Sequence, residues 1–286
     1  MKVYYDCAPC FLRQAREACD LATDDEDLKI EIMAEIFKYL ASHYSRNANS
    51  NGTGSALHNI IKEKTGCRDP YKSKKVLGNK IALKYLPEVK KIISCDDSLE
   101  NYVKIAIAGN ILDFGSFGLD EDMESLIKDA LVKDLAINDS LKLENDLKTH
   151  KKLLYLADNA GEIVFDKLLL EKLKKYDVEI TIVVKEEPIL NDACMEDALE
   201  TGLDEFGDII TMAGTVGLVY TENTKEFQEI FNSHDLIISK GMGNFEGLTE
   251  LDLSGKNVYY LLAAKCTAIT KYLGINLNDM ILLKSD

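Results

Sequence analysis

The chain has 286 residues, 46% of them hydrophobic and 29% charged, which is typical of a globular protein with a large core and excludes a disordered chain. Its formal net charge of −15 argues against binding to nucleic acid, because phosphate backbones are bound by clustered Lys and Arg. No apolar run is as long as a membrane span, residues 1–10 lack the pattern of a signal peptide, and the seven cysteines suit a reducing compartment, so we expect a cytoplasmic protein with no membrane partner.

The first half of the chain, up to about residue 150, has apolar residues at helical spacing nearly throughout. We expect five to seven helices there. Pro70 and Pro87 are expected at helix ends, because proline lacks the backbone donor that a helix interior needs. The polar residues 46–54 are expected to form a loop, which is either a simple connection or a flexible lid.

Cys7 and Cys10 form a CxxC pair at the start of the first expected helix, a position that lowers the pKa of a thiol. A redox pair of the thioredoxin type would lie next to a βαβ pattern, whereas the neighbouring sequence here is helical. A zinc site would need two more ligands, and no other cysteines are paired at ligand spacing. We therefore expect a structural use of the pair, with an accessory metal or redox role as the alternative.

From residue 151 the pattern changes to short apolar runs, which are expected to be strands. The five runs are residues 153–157, 178–184, 209–212, 236–239 and 258–263. Helix-like or loop segments follow the first four runs, and this alternation is typical of a parallel α/β sheet. The sequence thus predicts a helical part over residues 1–150 and an α/β part over residues 151–286. Because no linker of low complexity separates them, the two parts are expected to pack as one body.

Polar residues follow these expected strands, at the edge of a parallel sheet where ligands bind. They are Asp158 and Asn159 after the first strand, Asn191 and Asp192 after the second, Lys240 and Gly241 after the fourth, and Lys265 after the fifth. Carboxylate and amide oxygens are hard ligands suited to a divalent cation. A lysine and glycine-flanked backbone amides suit phosphate oxygens. Each of these residues alone is also common as a helix cap or in a turn. Their shared position at one edge of the sheet nevertheless favours a site for metal and phosphate.

The same residues resemble a known family, the damage-control phosphatases, long catalogued as a domain of unknown function. The matching motifs are Asp158-Asn159-Ala160-Gly161-Glu162, Asp192, Lys240-Gly241-x-Gly243-Asn244-Phe245-Glu246 and Lys265-Cys266. Others resemble a prokaryotic subgroup with a CxxC pair. These are Cys7-x-x-Cys10, Asp69-Pro70-Tyr71 with Lys74 and Asn79, and Ala108-Gly109-Asn110 with Asp113-Phe114-Gly115.

The resemblance implies a metal-dependent phosphatase acting on small phosphorylated metabolites, such as sugar phosphates or damaged phosphorylated cofactors. It also implies a helical part in front of a three-layer, Rossmann-like α/β part. The implied metal ligands are Asp158, Asn159 and Asp192, holding Co²⁺, Ni²⁺, Mn²⁺ or Mg²⁺. The implied contacts to phosphate or substrate are Lys240, Gly241 and Asn244, with further matches at Asn110, Asp113 and Lys265.

The expected chemistry then follows from electrostatics. A cation at these oxygens would lower the pKa of a bound water, which would attack phosphorus in line. Lys240 would offset charge on the equatorial oxygens. The general base stays open between Glu162, Asp113 and Asp192. Direct attack by the Asp158 carboxylate is a further alternative, which we rank lower because the neighbouring amide suits coordination better.

Two other functions use the same α/β half. Gly241-x-Gly243-x-x-x-Gly247 superficially resembles a dinucleotide loop. Asp158-Asn159-Ala160-Gly161 could be taken for a methyltransferase loop, so an S-adenosylmethionine-dependent methyltransferase is an alternative enzyme. A dinucleotide loop, however, belongs at the first strand and needs an acid at the end of the next one. After residues 241–247 the next strand ends in Ala263-Ala264-Lys265, which has the opposite charge. A protein that binds a metal or phosphometabolite without turnover is the third possibility.

Overall fold

The structure is a computed structural model, and it describes residues 1–111 and 123–285, apart from a few side chains at the edges of the gap. The first half is helical, as predicted. The helices before residue 150, within the described ranges, are α1 (Cys7–Ala22), α2 (Glu26–His43), α3 (Ser50–Thr65), α4 (Lys72–Ile93), α5 (Leu99–Ile111), α6 (Met123–Val132) and α7 (Ser140–Thr149). No helix in the described ranges is long and apolar enough to cross a membrane.

Two local predictions in this half need correction. Helix α3 begins at Ser50, inside the stretch predicted to be a loop, because the Asn49 side chain caps it by accepting the Gly52 N–H at 2.8 Å. Pro87 lies within α4 and not at its end. Since proline has no N–H, one backbone hydrogen bond of α4 is missing at that turn.

Within the described ranges, the strands form one mixed sheet of seven, of which β1 comes from the first half of the chain and the other six from the second. The strands are β1 (Ile137–Asn138), β2 (Lys152–Leu156), β3 (Glu179–Lys185), β4 (Asp208–Met212), β5 (Leu236–Lys240), β6 (Asn257–Ala263) and β7 (Met280–Lys284). The helices among them are α8 (Glu162–Leu173), α9 (Met195–Glu200), α10 (Lys225–Ser233), α11 (Met242–Leu248) and α12 (Thr267–Leu273). The five predicted strands correspond to β2–β6. Strands β1 and β7 were not predicted, although Met280–Lys284 contains an apolar run of four residues.

The strand order is β1-β7-β6-β5-β2-β3-β4, and every pair is parallel except β6 with β7. When β1 is left out and β2 to β7 are renumbered 1 to 6, the order across the sheet, starting from β4, is 3-2-1-4-5-6. This is the strand order of doubly wound nucleotide-binding folds. The chain reverses its direction of travel across the sheet between the neighbours β2 and β5. A crevice for ligands is expected at the carboxyl ends of these two strands.

Helices cover both faces of the sheet, so the fold has three layers. Successive side chains of a strand point to opposite faces of the sheet. In β2, Tyr155 therefore packs in the buried cluster on one face and Leu154 in the cluster on the other. The first cluster also contains residues of α5, α7, α8 and α9, and the second contains residues of α10, α11 and α12. Helices α1–α3 form a separate cluster beside the sheet. The ligand crevice therefore lies where this helical cluster meets the carboxyl ends of the central strands.

Candidate active site

A cavity of about 500 Å³ opens at the crevice between β2 and β5. Its sheet side carries residues from the segments that follow β2, β3, β5 and β6. Its opposite wall comes from α1, α3 and α4. Of the residues predicted to bind metal, phosphate or substrate or to act in catalysis, Asp158, Asn159, Asp192 and Lys265 line it.

The three predicted metal ligands lie on two chain segments that are joined to each other. Asp158 and Asn159 follow β2, and Asp192 follows β3. The Ala193 N–H donates to the Asp158 carbonyl oxygen at 2.8 Å, and Asn159 forms an antiparallel bridge with Asp192. Because β2 and β3 are parallel neighbours, their carboxyl ends deliver these side chains to the same edge of the sheet.

The Asn159 side chain has a defined orientation. Its Nδ2 donates to Asp158 Oδ2 at 2.9 Å and to Glu162 Oε2 at 3.2 Å. The amide carbonyl Oδ1 must then point away from both carboxylates, since a carboxylate accepts and does not donate hydrogen bonds. Glu162 thus orients Asn159, a role that a sequence motif alone does not reveal.

The carboxylates of this site lie in a poorly solvated place. Burial raises the pKa of Asp158 well above its ordinary value, and the charges of Glu162 and Asp192 raise it further. Burial also raises the pKa of Asp192 to about 6, although the Lys185 ammonium, 3.7 Å from Asp192 Oδ2, opposes the shift. Crowded carboxylates whose charged forms are disfavoured are an environment that a cation would stabilise.

The donor set therefore fits a hard divalent cation. It contains two carboxylates and one amide oxygen, which are the ligand types preferred by Mg²⁺ and Mn²⁺. Within the described ranges, no group of three His, Cys, Asp or Glu side chains is placed to hold a metal. This finding is compatible with the Asp-Asn-Asp set, because one of its three members is an amide.

Lys240 and Glu162 do not line the cavity, contrary to the roles predicted for them as phosphate contact and general base. Lys240 is fully buried, and its Nζ lies 2.5 Å from Glu162 Oε1 and 2.6 Å from Asp166 Oδ1. The ammonium also donates to the Ala106 carbonyl oxygen at 2.9 Å. An ammonium has three N–H donors, and these three acceptors match all of them.

The electrostatics of this buried group are consistent with a stable ion cluster. Burial lowers the pKa of Lys240, but the carboxylates of Asp166 and Glu162 outweigh it and hold the pKa above its ordinary value. Burial raises the pKa of Asp166 to about 6, against the opposing charge of Lys240. Lys240 is therefore cationic at neutral pH and is occupied within the protein interior.

Asn244 also has a structural position, not the predicted phosphate contact. It is 1% exposed, and its Nδ2 donates to the carbonyl oxygens of Ala157 at 3.1 Å and Lys240 at 2.9 Å. These carbonyls lie at the ends of the neighbouring strands β2 and β5. Asn244 therefore ties together the two strand ends that form the crevice.

Gly241 contacts Asp158 and is not oriented as an anion-binding amide. Its N–H donates to the Leu261 carbonyl oxygen at 3.0 Å, and its φ is +79°. A Cβ at this position would overlap the Asp158 carboxylate. The predicted glycine is thus required for a different reason, namely the close approach of the two turns.

Lys265 is the predicted substrate contact that the structure does bring to the cavity. It is exposed on the cavity lining, close enough to Asp158 for its charge to lower the pKa of that carboxyl. The other two predicted contacts are not placed. Asp113 lies outside the described residues, and nothing is described of the Asn110 side chain.

The helical part adds cavity residues for which the sequence predicted no contact with phosphate or substrate. Arg13 and Lys74 line the wall opposite the sheet, and Lys74 pairs with Glu17 at 2.7 Å. The CxxC pair, Cys7 and Cys10, lines the same wall. Arg13 belongs to no motif, and the motifs that contain Lys74 and the CxxC pair do not indicate which way these side chains face. Only the packing of α1 and α4 against the sheet reveals their position.

Comparisons with known proteins agree with this geometry. The damage-control phosphatase ARMT1-like domain matches residues 3–281 of the chain. A damage-control phosphatase of Pyrococcus horikoshii is 35% identical over 100% of this chain and 99% of its own. One of Archaeoglobus fulgidus is 33% identical, with 98% of each chain covered. An uncharacterized protein of Methanocaldococcus jannaschii is 42% identical over 99% of this chain and 96% of its own. The crystal structure of a DUF89 family protein from Pyrococcus horikoshii has a TM-score of 0.93 at 34% identity and covers 100% of both chains.

Proposed function

The chain belongs to the damage-control phosphatase ARMT1-like domain family and is a phosphatase, and we propose that it hydrolyses phosphomonoesters of small metabolites with the help of a bound divalent cation. Sugar phosphates and damaged phosphorylated cofactors are the proposed substrate classes. The methyltransferase and the non-enzymatic binding protein are not favoured, because the family match spans nearly the whole chain.

The proposal rests mainly on one structural observation. The turns after β2 and β3 are bonded to each other and present Asp158, Asn159 and Asp192 to one cavity. These three residues would hold the cation through their oxygens. When bound, a divalent cation polarises a phosphoryl oxygen and makes water a stronger acid.

The chain's own residues supply the remaining requirements. Lys265, exposed on the cavity lining near Asp158, is placed to contact the phosphate oxygens and offset their charge. The cavity, at about 500 Å³, has room for an organic group beyond the phosphate, with Arg13 and Lys74 on the wall opposite the sheet. Glu162, held by Lys240 and Asn159, orients the amide of the cation site and does not meet the substrate.

Two residues that line the cavity are candidates for moving a proton or attacking phosphorus. Asp192 remains a candidate general base, together with Asp113 outside the described ranges. Asp158 remains the alternative nucleophile. The stereochemical course at a phosphorus made chiral with oxygen isotopes separates the two routes. A single in-line attack by water inverts the configuration, whereas attack by Asp158 followed by hydrolysis of the phospho-aspartate retains it.

We also propose a reducing compartment such as the cytoplasm. All seven cysteines are free thiols, three of them on the cavity lining, namely Cys7, Cys10 and Cys266. Thiols stay reduced where glutathione and thioredoxin operate.

The test is a substrate and metal screen. Chelator-treated protein is assayed with sugar phosphates and phosphorylated cofactors, each with Mg²⁺, Mn²⁺, Co²⁺ or Ni²⁺. We expect no turnover without metal and recovery with at least one cation, and Asp158→Asn should lose both cation binding and turnover. Full activity in metal-free protein would overturn the cation's role, and no hydrolysis of any phosphomonoester would overturn the substrate class.

A further inference from the structure

A buried bridge joins helix α4 to the turns that carry the cation ligands. Asn79 on α4 is 1% exposed and uses both ends of its amide. Its Oδ1 accepts the Gly161 N–H at 2.7 Å, and its Nδ2 donates to Asp197 Oδ1 at 3.0 Å. Gly161 closes the turn that holds Asp158 and Asn159, so one helical side chain is bonded directly to the backbone of a ligand turn.

Asp197 connects the same bridge to the other ligand turn. Its Oδ2 accepts the backbone N–H of Cys194, two residues after Asp192, at 3.0 Å. The Lys75 ammonium, one turn before Asn79 on α4, lies 3.2 Å from the same oxygen and 2.9 Å from Asp69. Asp197 is only 5% exposed, so these bonds form in the protein interior.

A role limited to capping α9 does not account for this geometry. Asp197 does cap α9, because its carboxylate accepts the N–H of the N-cap residue Cys194. The cap uses Oδ2 only, however, while Oδ1 is bonded to Asn79 on a distant helix. The bridge from Cys194 through Asp197 and Asn79 to Gly161 therefore spans both ligand turns.

We propose that Asn79 and Asp197 are positioning residues, which set the spacing between the Asp158-Asn159 turn and Asp192 for the divalent cation. The inference rests on the cation site of the proposed function. Groups that hold metal ligands in place typically change metal affinity 10–100-fold when they are replaced. The proposal thus gives α4 a function in the cation site, although α4 contributes no ligand.

The hydrogen-bond polarity of the bridge allows an exchange test. In Asn79→Asp, two carboxylates face each other, and no donor remains between them. In Asp197→Asn, the amide must turn its NH₂ group either toward the Asn79 NH₂ or toward Lys75 and the Cys194 N–H, so one contact is lost.

The double variant, which carries both changes, exchanges the amide and the carboxylate between the two positions. The amide NH₂ at position 197 would donate to the carboxylate at position 79, and that carboxylate would accept the Gly161 N–H. The amide Oδ1 at position 197 would accept from Cys194 and Lys75. Every bond of the bridge is thereby restored at unchanged net charge.

The measurement is Mn²⁺ binding to chelator-treated protein by titration calorimetry, with thermal unfolding in parallel. We expect about 10–100-fold weaker Mn²⁺ binding in each single variant and recovery to within a few fold of wild type in the double variant. At Mn²⁺ concentrations that saturate the variants, kcat should return toward wild type. Asp139→Asn is the matched control, because Asp139 accepts the Lys284 N–H at 2.8 Å far from the cavity. It should lose stability and keep its Mn²⁺ affinity.

The outcomes separate this inference from the proposed function. If wild type binds no Mn²⁺ or other divalent cation, the cation site itself is refuted. If wild type binds Mn²⁺ and the folded single variants bind it equally well, or the double variant is no better than they are, only the positioning role is refuted. Should a charged single variant fail to fold, Asn79→Ala breaks the bridge without adding charge, and unchanged Mn²⁺ affinity in that variant refutes the role as well.

Discussion

For single residues, burial decides what a charged side chain can do. Lys240 lies two residues after Ile238 in β5, so the two side chains point to the same face of the sheet. Ile238 packs in the cluster that contains residues of α8. The Lys240 ammonium consequently meets Glu162 and Asp166 on α8 instead of the cavity. Lys265 lies outside a strand and is exposed on the cavity lining. Two lysines at neighbouring strand ends therefore lie in different environments, one buried in an ion cluster and one exposed on the cavity lining.

The first prediction compares Lys240→Met with Lys265→Met. Removal of the buried ammonium leaves two carboxylates without their partner, so Lys240→Met should lower the free energy of unfolding by about 3–5 kcal/mol at pH 7. Lys265→Met removes an exposed charge and should change stability by less than about 0.5 kcal/mol. It should raise KM for a phosphomonoester instead. Urea unfolding and steady-state kinetics check both. A Lys240→Met protein with normal stability and a raised KM would restore Lys240 as the phosphate contact.

Among the helices, strands and turns, the site depends on how closely two turns approach each other. The turn after β5 packs against the turn after β2, and Gly241 lies directly against the Asp158 carboxylate. Asn244 then ties the ends of these two strands through their carbonyl oxygens. The lack of a side chain at Gly241 thus leaves room for the Asp158 carboxylate.

The second prediction compares Gly241→Ala with Gly255→Ala. Gly241 has φ +79° and Gly255 has φ +83°, so alanine brings backbone strain at both positions, of about 1–3 kcal/mol each. A Cβ meets nothing within 4 Å at Gly255, whereas at Gly241 it overlaps Asp158. Both variants should lose stability, but only Gly241→Ala should weaken Mn²⁺ binding, by at least about tenfold. Equal Mn²⁺ affinities in the two variants would show that this contact does not matter.

In the molecule as a whole, the helical part and the sheet are joined on several sides. Strand β1 precedes residue 150 and pairs with β7, and α5 packs on α8 and β6. On the cavity side, Asn51 of α3 donates to the Gly243 carbonyl oxygen at 2.9 Å. The expectation that residues 1–150 and 151–286 pack as one body stays a prediction, and these contacts suggest how to test it.

The third prediction is a single cooperative unfolding transition. Far-UV circular dichroism, which reports mainly the helices, and tyrosine fluorescence should change at the same urea concentration. Mn²⁺ at about 100 times its Kd should stabilise the whole protein by about 2.7 kcal/mol, and Asp158→Asn should remove this effect. Two separate transitions, of which only one responds to Mn²⁺, would mean that the helical part and the sheet unfold independently.

The fold class and the residues nearest to the cavity could be predicted from the sequence alone. Strands β2–β6 have buried runs of apolar residues, so periodicity was sufficient to predict them. Order along the chain placed Asp158 and Asn159 after β2 and Asp192 after β3, and the family resemblance singled these three residues out as metal ligands. Strand β1 has only two residues, which is too short for a periodic pattern.

Which polar residues face the cavity, and which are buried behind it, depended on the packing of helices against the sheet. Lys240, Glu162 and Asn244 have the residue types of a catalytic site, but their side chains point into the protein interior, where buried groups must pair with each other. Conversely, Asn79 and Asp197 lie 118 positions apart and form one hydrogen bond that bridges two ligand turns. A contact between residues so distant in the chain leaves no local pattern, because it depends on how a helix packs against a sheet.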